Sequence, residues 1–241
     1  MNDASTDLNR TSLTLGFWSA LLCLATFLVF TVCFMVAFTM PPIFHWTTMQ
    51  DYLAYSNPAS QPFKSVAQLM MLFFAPCYVV LLSSLYDQAG AQKKPFARAA
   101  LLMGVLFAGL ISMHYFVQLS TVRLAVASGQ AAGLDQFVQA NPISAMSAIN
   151  MLGWTLFFGL SSVLVAPLFA GRGLEKFIQV VFLINGVCCL LGGVGFVLDI
   201  TPLVFLTINF GMGGAVIVIT WALCVYFRRL MRATGILASH G

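Results

Sequence analysis

Apolar residues along this chain neither alternate nor recur as a narrow stripe. They run on in six continuous stretches, at about 15–40, 65–86, 99–122, 143–170, 177–198 and 203–227, separated by polar breaks. At ~1.5 Å per residue each stretch is long enough to cross ~30 Å of hydrocarbon as a helix. Lipid offers backbone N–H and C=O groups no partner, so all six are predicted helical. A membrane β-barrel would need ~10-residue segments of alternating polarity, which these stretches are not. The predicted fold class is therefore all-α, a polytopic six-transmembrane-helix bundle.

The first and third breaks are long and share a pattern: Asp51 and Asp135 are each followed, after five residues, by Asn-Pro, at Asn57-Pro58 and Asn141-Pro142. The same offset matches Ser60 with Ser144, Leu72-Phe73-Phe74 with Leu156-Phe157-Phe158 and Val79 with Val163. A duplication of a two-helix unit, 1–86 and 87–170, would produce such self-similarity. Each loop is predicted to carry a short interfacial helix, from Met49 and Leu53 four apart in one and from the Leu134, Phe137, Val138 stripe in the other. Asn141 is the expected cap of the fourth span, with Pro142 at its first helical position.

Composition sharpens the class: 60% hydrophobic and 7% charged residues, with a mean hydropathy of +0.94, leave too little polar surface to cover a soluble core. Charge then orients the chain. Arg10, Lys93, Lys94, Arg98, Arg172, Lys176, Arg228, Arg229 and Arg232 lie on the side of the termini, against only Lys64 and Arg123 on the other. By the positive-inside rule both termini are cytoplasmic, with a segment 1–14 before the first span and a basic tail 228–241 after the sixth. The net charge of +4 thus reflects this bias, and no nucleic-acid partner is expected. The polar segment before the first span and the absence of a small-residue cleavage site mark that span as an anchor, not a removable signal. All six cysteines, Cys23, Cys33, Cys77, Cys188, Cys189 and Cys224, fall within spans, where packing is their expected role.

The run His114-Tyr115-Phe116-Val117-Gln118-Leu119, followed by Gly133-Leu134-Asp135-Gln136-Phe137 and Asn141-Pro142-Ile143-Ser144, resembles a family of uncharacterised six-span bacterial membrane proteins, from the first span to the fifth. The resemblance implies a bacterial inner-membrane location and the six-span fold, and it supplies no catalytic residue.

Chemistry, if any, is expected where polar side chains enter the apolar runs. His114 is the only histidine at membrane depth, about eight residues or ~12 Å from the end of the third span. Gln68, Gln118, Asn150 and Asn209 lie in the same half of the membrane, Asn185 in the other. On the third span Ser112, His114, Tyr115 and Gln118 share a broad face, beside a small-residue seam of Gly104, Ala108 and Ser112. On the fourth, Asn150, Trp154, Phe157 and Ser161 form a stripe that would line a pocket for an apolar molecule with one polar group. The candidate ligand-binding residues are therefore His114, Tyr115, Gln118, Asn150, Trp154, Asn209 and Gln68.

Several chemistries lose ground on the same residues. No Asp or Glu lies deep in a span, which argues against ion-coupled transport. Metal binding needs several converging ligands, and a haem clamped by two histidines would have to bring His45 inward to His114. Gly159-Leu160-Ser161-Ser162 resembles the Gly-x-Ser-Gly pattern of rhomboid proteases, but the last glycine is missing and the sixth span carries no histidine base. Glycines in 192–195 and 211–214 sit mid-span, where close helix packing explains them.

The expected function is non-catalytic: binding of an apolar or lipid-like ligand in an outward-facing pocket, or packing through the glycine-rich helices as a subunit of a larger assembly or a homo-oligomer. The alternatives are an intramembrane enzyme using His114 as acid or base, and a haem-, quinone- or pigment-binding membrane subunit. No particular cofactor is indicated, and membrane lipid is the expected partner.

Overall fold

The computed structural model describes residues 3–40, 46–55, 59–130 and 132–236. Among these the chain is helical, without a strand, and six helices are long and apolar enough to cross a membrane. The protein is an all-α polytopic membrane protein. We number its helices α1 (Asp3–Thr39), α2 (Met49–Tyr55), α3 (Gln61–Gln88), α4 (Lys94–Ala127), α5 (Ala145–Leu168), α6 (Leu174–Val197) and α7 (Thr201–Ala233). Several outrun their apolar stretches. The predicted segment 1–14 is largely the first turns of α1, and α7 continues through the first residues of the basic tail, because polar residues beyond the hydrocarbon need not leave the helix.

Local sequence sets the helix ends. Pro62, Pro95 and Pro202 each sit in the first turn of their helices, where a missing N–H costs nothing. Gly129 and Gly235 end α4 and α7 with φ of 68° and 72°. In both places paired bonds close the last turn, from Gln130 N–H to the Ala125 carbonyl and from Ile236 N–H to the Met231 carbonyl.

The spans pack in chain order and close on themselves: α1 on α3, α3 on α4, α4 on α5, α5 on α6, α6 on α7, and α7 back on α1. Five of these six seams carry a glycine in close approach. A Cβ on Gly16 would meet the Phe227 ring at 2.3 Å, and one on Gly104 would meet Leu82 at 2.2 Å. The corresponding distances are 3.0 Å to Ile111 for Gly153, 2.5 Å to Val163 for Gly186 and 2.4 Å to Ile208 for Gly192. The sixth seam, between α1 and α3, has none, and α3 contains no glycine.

Inside the ring Phe27, Phe74, Phe107, Trp154 and Phe158 form an aromatic hub, with Phe107 and Trp154 centroids 4.8 Å apart. Edge-to-face and tilted pairs of this kind add to the packing beyond their area. Three polar contacts tie helices together within the core: the Tyr78 hydroxyl lies 3.0 Å from Ser161 Oγ, Ser161 donates to the Ala100 carbonyl at 3.0 Å, and Asn185 Nδ2 donates to Ser162 Oγ at 2.7 Å. The serines that resemble a protease motif are thus helix-to-helix ties.

The two long loops meet at the end of the bundle away from the termini, the distal end. Val122, Leu134 and Val138 are buried there, with Trp46, Met49 and Tyr52 packed against them. The first loop contains the expected short helix, α2. In the third loop the Leu134, Phe137, Val138 stripe forms turns instead of a helix, with Leu134 and Val138 buried and Phe137 exposed. The Asn57-Pro58 half of the shared motif lies outside the described residues. The offset-matched Ser60 and Ser144 both occupy the residue before a spanning helix, and Phe74 and Phe158 both belong to the hub.

Candidate functional site

At the distal end α1, α3, α4 and the two long loops line an open cavity of about 380 Å³. Its apolar wall is a ladder on α1: Phe30, Phe34 and Phe38, four residues apart, stack with centroids 5.7 and 6.0 Å apart. Lys64, Ala67 and Gln68 of α3 face it, Tyr115 and Gln118 of α4 form its floor, and Trp46, Tyr52, Gln139 and Ala140 of the two loops cover it.

The polar side of this cavity is built by one glutamine. Gln118 begins a π turn, Gln118–Val122, within α4 and is buried. Its Nε2 donates to the Phe137 carbonyl at 2.6 Å and its Oε1 accepts from Gln139 N–H at 3.1 Å. Both ends of the amide thereby pin the third loop, and Gln139 reaches across the cavity to Gln68, Nε2 of Gln68 lying 3.5 Å from Gln139 Oε1. The loop is closed further by Asn141, whose Nδ2 donates to the Asp135 carbonyl at 2.8 Å and whose Oδ1 accepts from Ile143 N–H at 3.2 Å. Asn141 is therefore an Asx-turn residue. The cap of α5 is Ser144, whose Oγ accepts from Ser147 N–H and donates to the Val138 carbonyl, each at 3.0 Å.

Of the sequence candidates, the structure gathers Gln68, Tyr115 and Gln118 around the cavity and leaves four outside it. His114 is fully buried behind Tyr115, its ring edge-on to the phenol at 4.8 Å. Its Nδ1 lies 3.0 Å from the Met146 carbonyl. A carbonyl only accepts, so Nδ1 carries the proton, and Nε2 is left as a buried acceptor without a hydrogen-bond partner. The histidine ties α4 to the first turn of α5. Trp154 belongs to the aromatic hub, and Asn150 is half-buried with its Oδ1 unpartnered. The expected α5 stripe shifts from Phe157 to Phe158 across the π turn Gly153–Phe157, which adds a residue to the helical turn. Asn209 is exposed, and its Nδ2 bonds its own helix at the Phe205 carbonyl, 3.2 Å away. Depth along a span had grouped it with the others; its angular position does not.

Three lining features had signals in the sequence that went unused: the Phe30, Phe34, Phe38 spacing, the cation Lys64, and Gln139 beside the Asn141 motif. Outside the lining, Thr48-x-x-Asp51 at the start of α2 is a capping-box pattern. The Asp51 carboxylate accepts from the hydroxyls of Thr47 and Thr48 at 2.5 and 2.7 Å, and its own N–H donates to Thr48 Oγ1 at 3.1 Å. These bonds, Thr47 first, hold its pKa below the usual carboxylate value.

Elsewhere, a cavity of about 210 Å³ at the terminal end is lined by Lys93, Glu175 and Tyr226. Lys93 already donates to the Leu168 carbonyl at 2.8 Å. Among the described residues no three His, Cys, Asp or Glu side chains converge, and His45 lies outside those residues. Of the glycines of α6 and α7 expected at a partner interface, several are used within the chain: Gly192 faces Ile208, Gly195 faces Leu203, and Gly211 faces Cys188, whereas Gly214 meets no other residue. No family model matches this chain, and neither the curated proteins nor the solved structures contain a significant match.

Proposed function

We propose that this protein is a non-catalytic integral membrane protein that binds an apolar or lipid-like ligand in the distal cavity. One observation carries the reading: a space of about 380 Å³ has a stacked phenylalanine wall on one side and the polar groups of Gln68, Tyr115, Gln118 and Gln139 on the other. Small-molecule pockets of ~300–1,000 Å³ combine apolar walls with a few fixed polar groups in this way. Most glycines of the glycine-rich helices, which would serve a subunit role, are engaged within the chain, and Gly214 alone among those of 192–195 and 211–214 meets nothing; this favours the cavity. Native mass spectrometry and an absorption spectrum of gently purified protein should reveal a co-purifying lipid, quinone or pigment. Ala67→Trp, which fills the cavity, should remove it at nearly unchanged Tm; retention of the ligand in that variant would refute the site.

The same proposal places the cavity outward, in a bacterial inner membrane with both termini cytoplasmic, on the strength of the Lys and Arg distribution. A membrane-impermeant thiol reagent should reach Ala132→Cys from outside and spare Gln92→Cys; the reverse would invert the orientation.

A further inference from the structure

We infer that the ligand is an anionic single-chain amphiphile, drawn from the surrounding leaflet, whose negative group pairs with Lys64 while its chain lies along Phe30, Phe34 and Phe38. The inference rests on the cavity reading above and adds the ligand's charge and route of entry.

Charge is the first argument. Lys64 is half-buried and, among the described residues, is the only charged one lining the cavity. A cation on an apolar wall is costly without an anion beside it. The acids at this end do not supply one. Asp51 is outside the lining and holds the hydroxyls of Thr47 and Thr48, and Asp135 is exposed and also outside the lining. Residues 41–45 and 56–58, which flank the cover, contain no Asp or Glu in their sequence. The other basic residue of this end, Arg123, is exposed and turns its Nε to the Leu119 carbonyl at 2.9 Å. A positive site in a cavity with no negative charge selects an anion.

Position is the second. Lys64 lies in the first turns of α3, at the edge of the apolar stretch, where a lipid headgroup would sit. Phe34 and Phe38, on the spanning helix α1, line the cavity and are 39% and 55% exposed, so the cavity is open along that helix. The mouth therefore meets the lipid-facing surface at headgroup depth, so a chain enters sideways as its head reaches the ammonium. A volume near the lower end of the small-molecule range suits one chain better than two. Gln68 and Gln139 stand ready to donate to the oxygens of a carboxylate or phosphate.

The test uses the full chain in nanodiscs of zwitterionic lipid, with dibromostearic acid and its methyl ester as probes. The chains are the same; only the acid carries charge. Trp46 lines the cavity, and its emission, isolated by difference from Trp46→Phe, reports bromine within it. The acid should quench at a concentration at least about tenfold below the ester, Lys64→Met should bring the acid to the ester's level, and Lys64→Arg should restore the difference. Equal quenching by acid and ester, or an acid response unchanged in Lys64→Met, would overturn the inference and leave the cavity reading standing. Quenching by neither probe would overturn both. Should Lys64→Met fail to fold, the preference for acid over ester in the unaltered chain decides alone. Inorganic phosphate should leave the acid in place; displacement would mean a small-anion site and defeat the amphiphile.

Discussion

Where α6 meets α5 and α7, glycines remove side chains and let backbones approach: Gly186 stands within reach of the Gly159 carbonyl, and Gly192 and Gly195 receive Ile208 and Leu203. Where α1 meets α3, the most extensive seam of the ring, no glycine intervenes, and at its distal end phenylalanines at every fourth position of α1 line the cavity. Helices in lipid gain little from burying apolar surface against one another, so small-residue contact is what fastens a seam. The large rings are confined to the distal end of the α1–α3 seam, and the cavity lies beside them. The glycine seams of α6 are close-packed, whereas the proposed ligand site lies beside the aromatic ladder of α1.

The strongest way to break this contrast is to exchange the residue sizes. Gly186→Leu would drive a side chain into Val163, with the Gly159 carbonyl only 3.0 Å from the new Cβ, and should destabilise the chain by about 3 kcal/mol. Phe34→Ala, on the partly exposed ladder, should cost less than about 1 kcal/mol yet lose the cavity ligand. Thermal denaturation in mild detergent, paired with ligand detection by mass spectrometry, separates the two. Equal destabilisation would erase the distinction between the seams.

Gln118 sharpens it from the polar side. Gln118→Leu leaves the Phe137 carbonyl and the Gln139 N–H without their partner and should cost about 2 kcal/mol. Hydrogen exchange should rise across 132–144 and stay unchanged along α6. If α6 responded equally, the loop would not be the element this amide holds.

A smaller effect is expected at His114. His114→Phe keeps the ring and removes the bond to the Met146 carbonyl, at a cost of about 1 kcal/mol. Because His114 is buried and does not line the cavity, co-purifying ligand should persist. Loss of ligand at unchanged stability would return His114 to the site.

The smallest concerns Asp51, at the surface. Its folded pKa lies below the unfolded one, so the capping bonds stabilise α2 fully above the ordinary carboxylate pKa. That contribution is lost as pH falls through the folded value. Exchange in 49–55 should therefore stay flat from neutral pH down to about 4 and rise below it, and Asp51→Asn should abolish the pH dependence. A rise already near neutrality would assign the effect to another group.

Much of the fold was legible because lipid leaves little choice. Continuous apolar runs must be helices, and their number and order were readable without any knowledge of packing. The site was less so. Depth along a span is a one-dimensional quantity: it grouped Gln68 and Gln118, which line the cavity, but it equally admitted Asn209, which is exposed, and His114 and Asn150, which are not in the lining. Angles within a span follow from a regular 100° step only while the helix stays regular. The π turns at Gln118–Val122, Gly153–Phe157 and Phe205–Met212 break that step in three of the spans.

The third loop shows the same division. Its residues carried an amphipathic stripe, and an isolated segment with that stripe would lie as a helix on the membrane surface. In the folded chain Leu134 and Val138 find a dry partner in Val122, while Gln118 satisfies the loop's backbone from inside α4, so turns serve as well as a helix. The sequence by itself determined the spanning helices, their order, and which residues are polar at membrane depth, because hydrocarbon thickness and backbone hydrogen bonding act on each segment separately. Which of those polar groups face one another, and that a cavity opens beside Lys64, only the tertiary structure decided, because both depend on how closely six helices approach and how far each is turned about its axis.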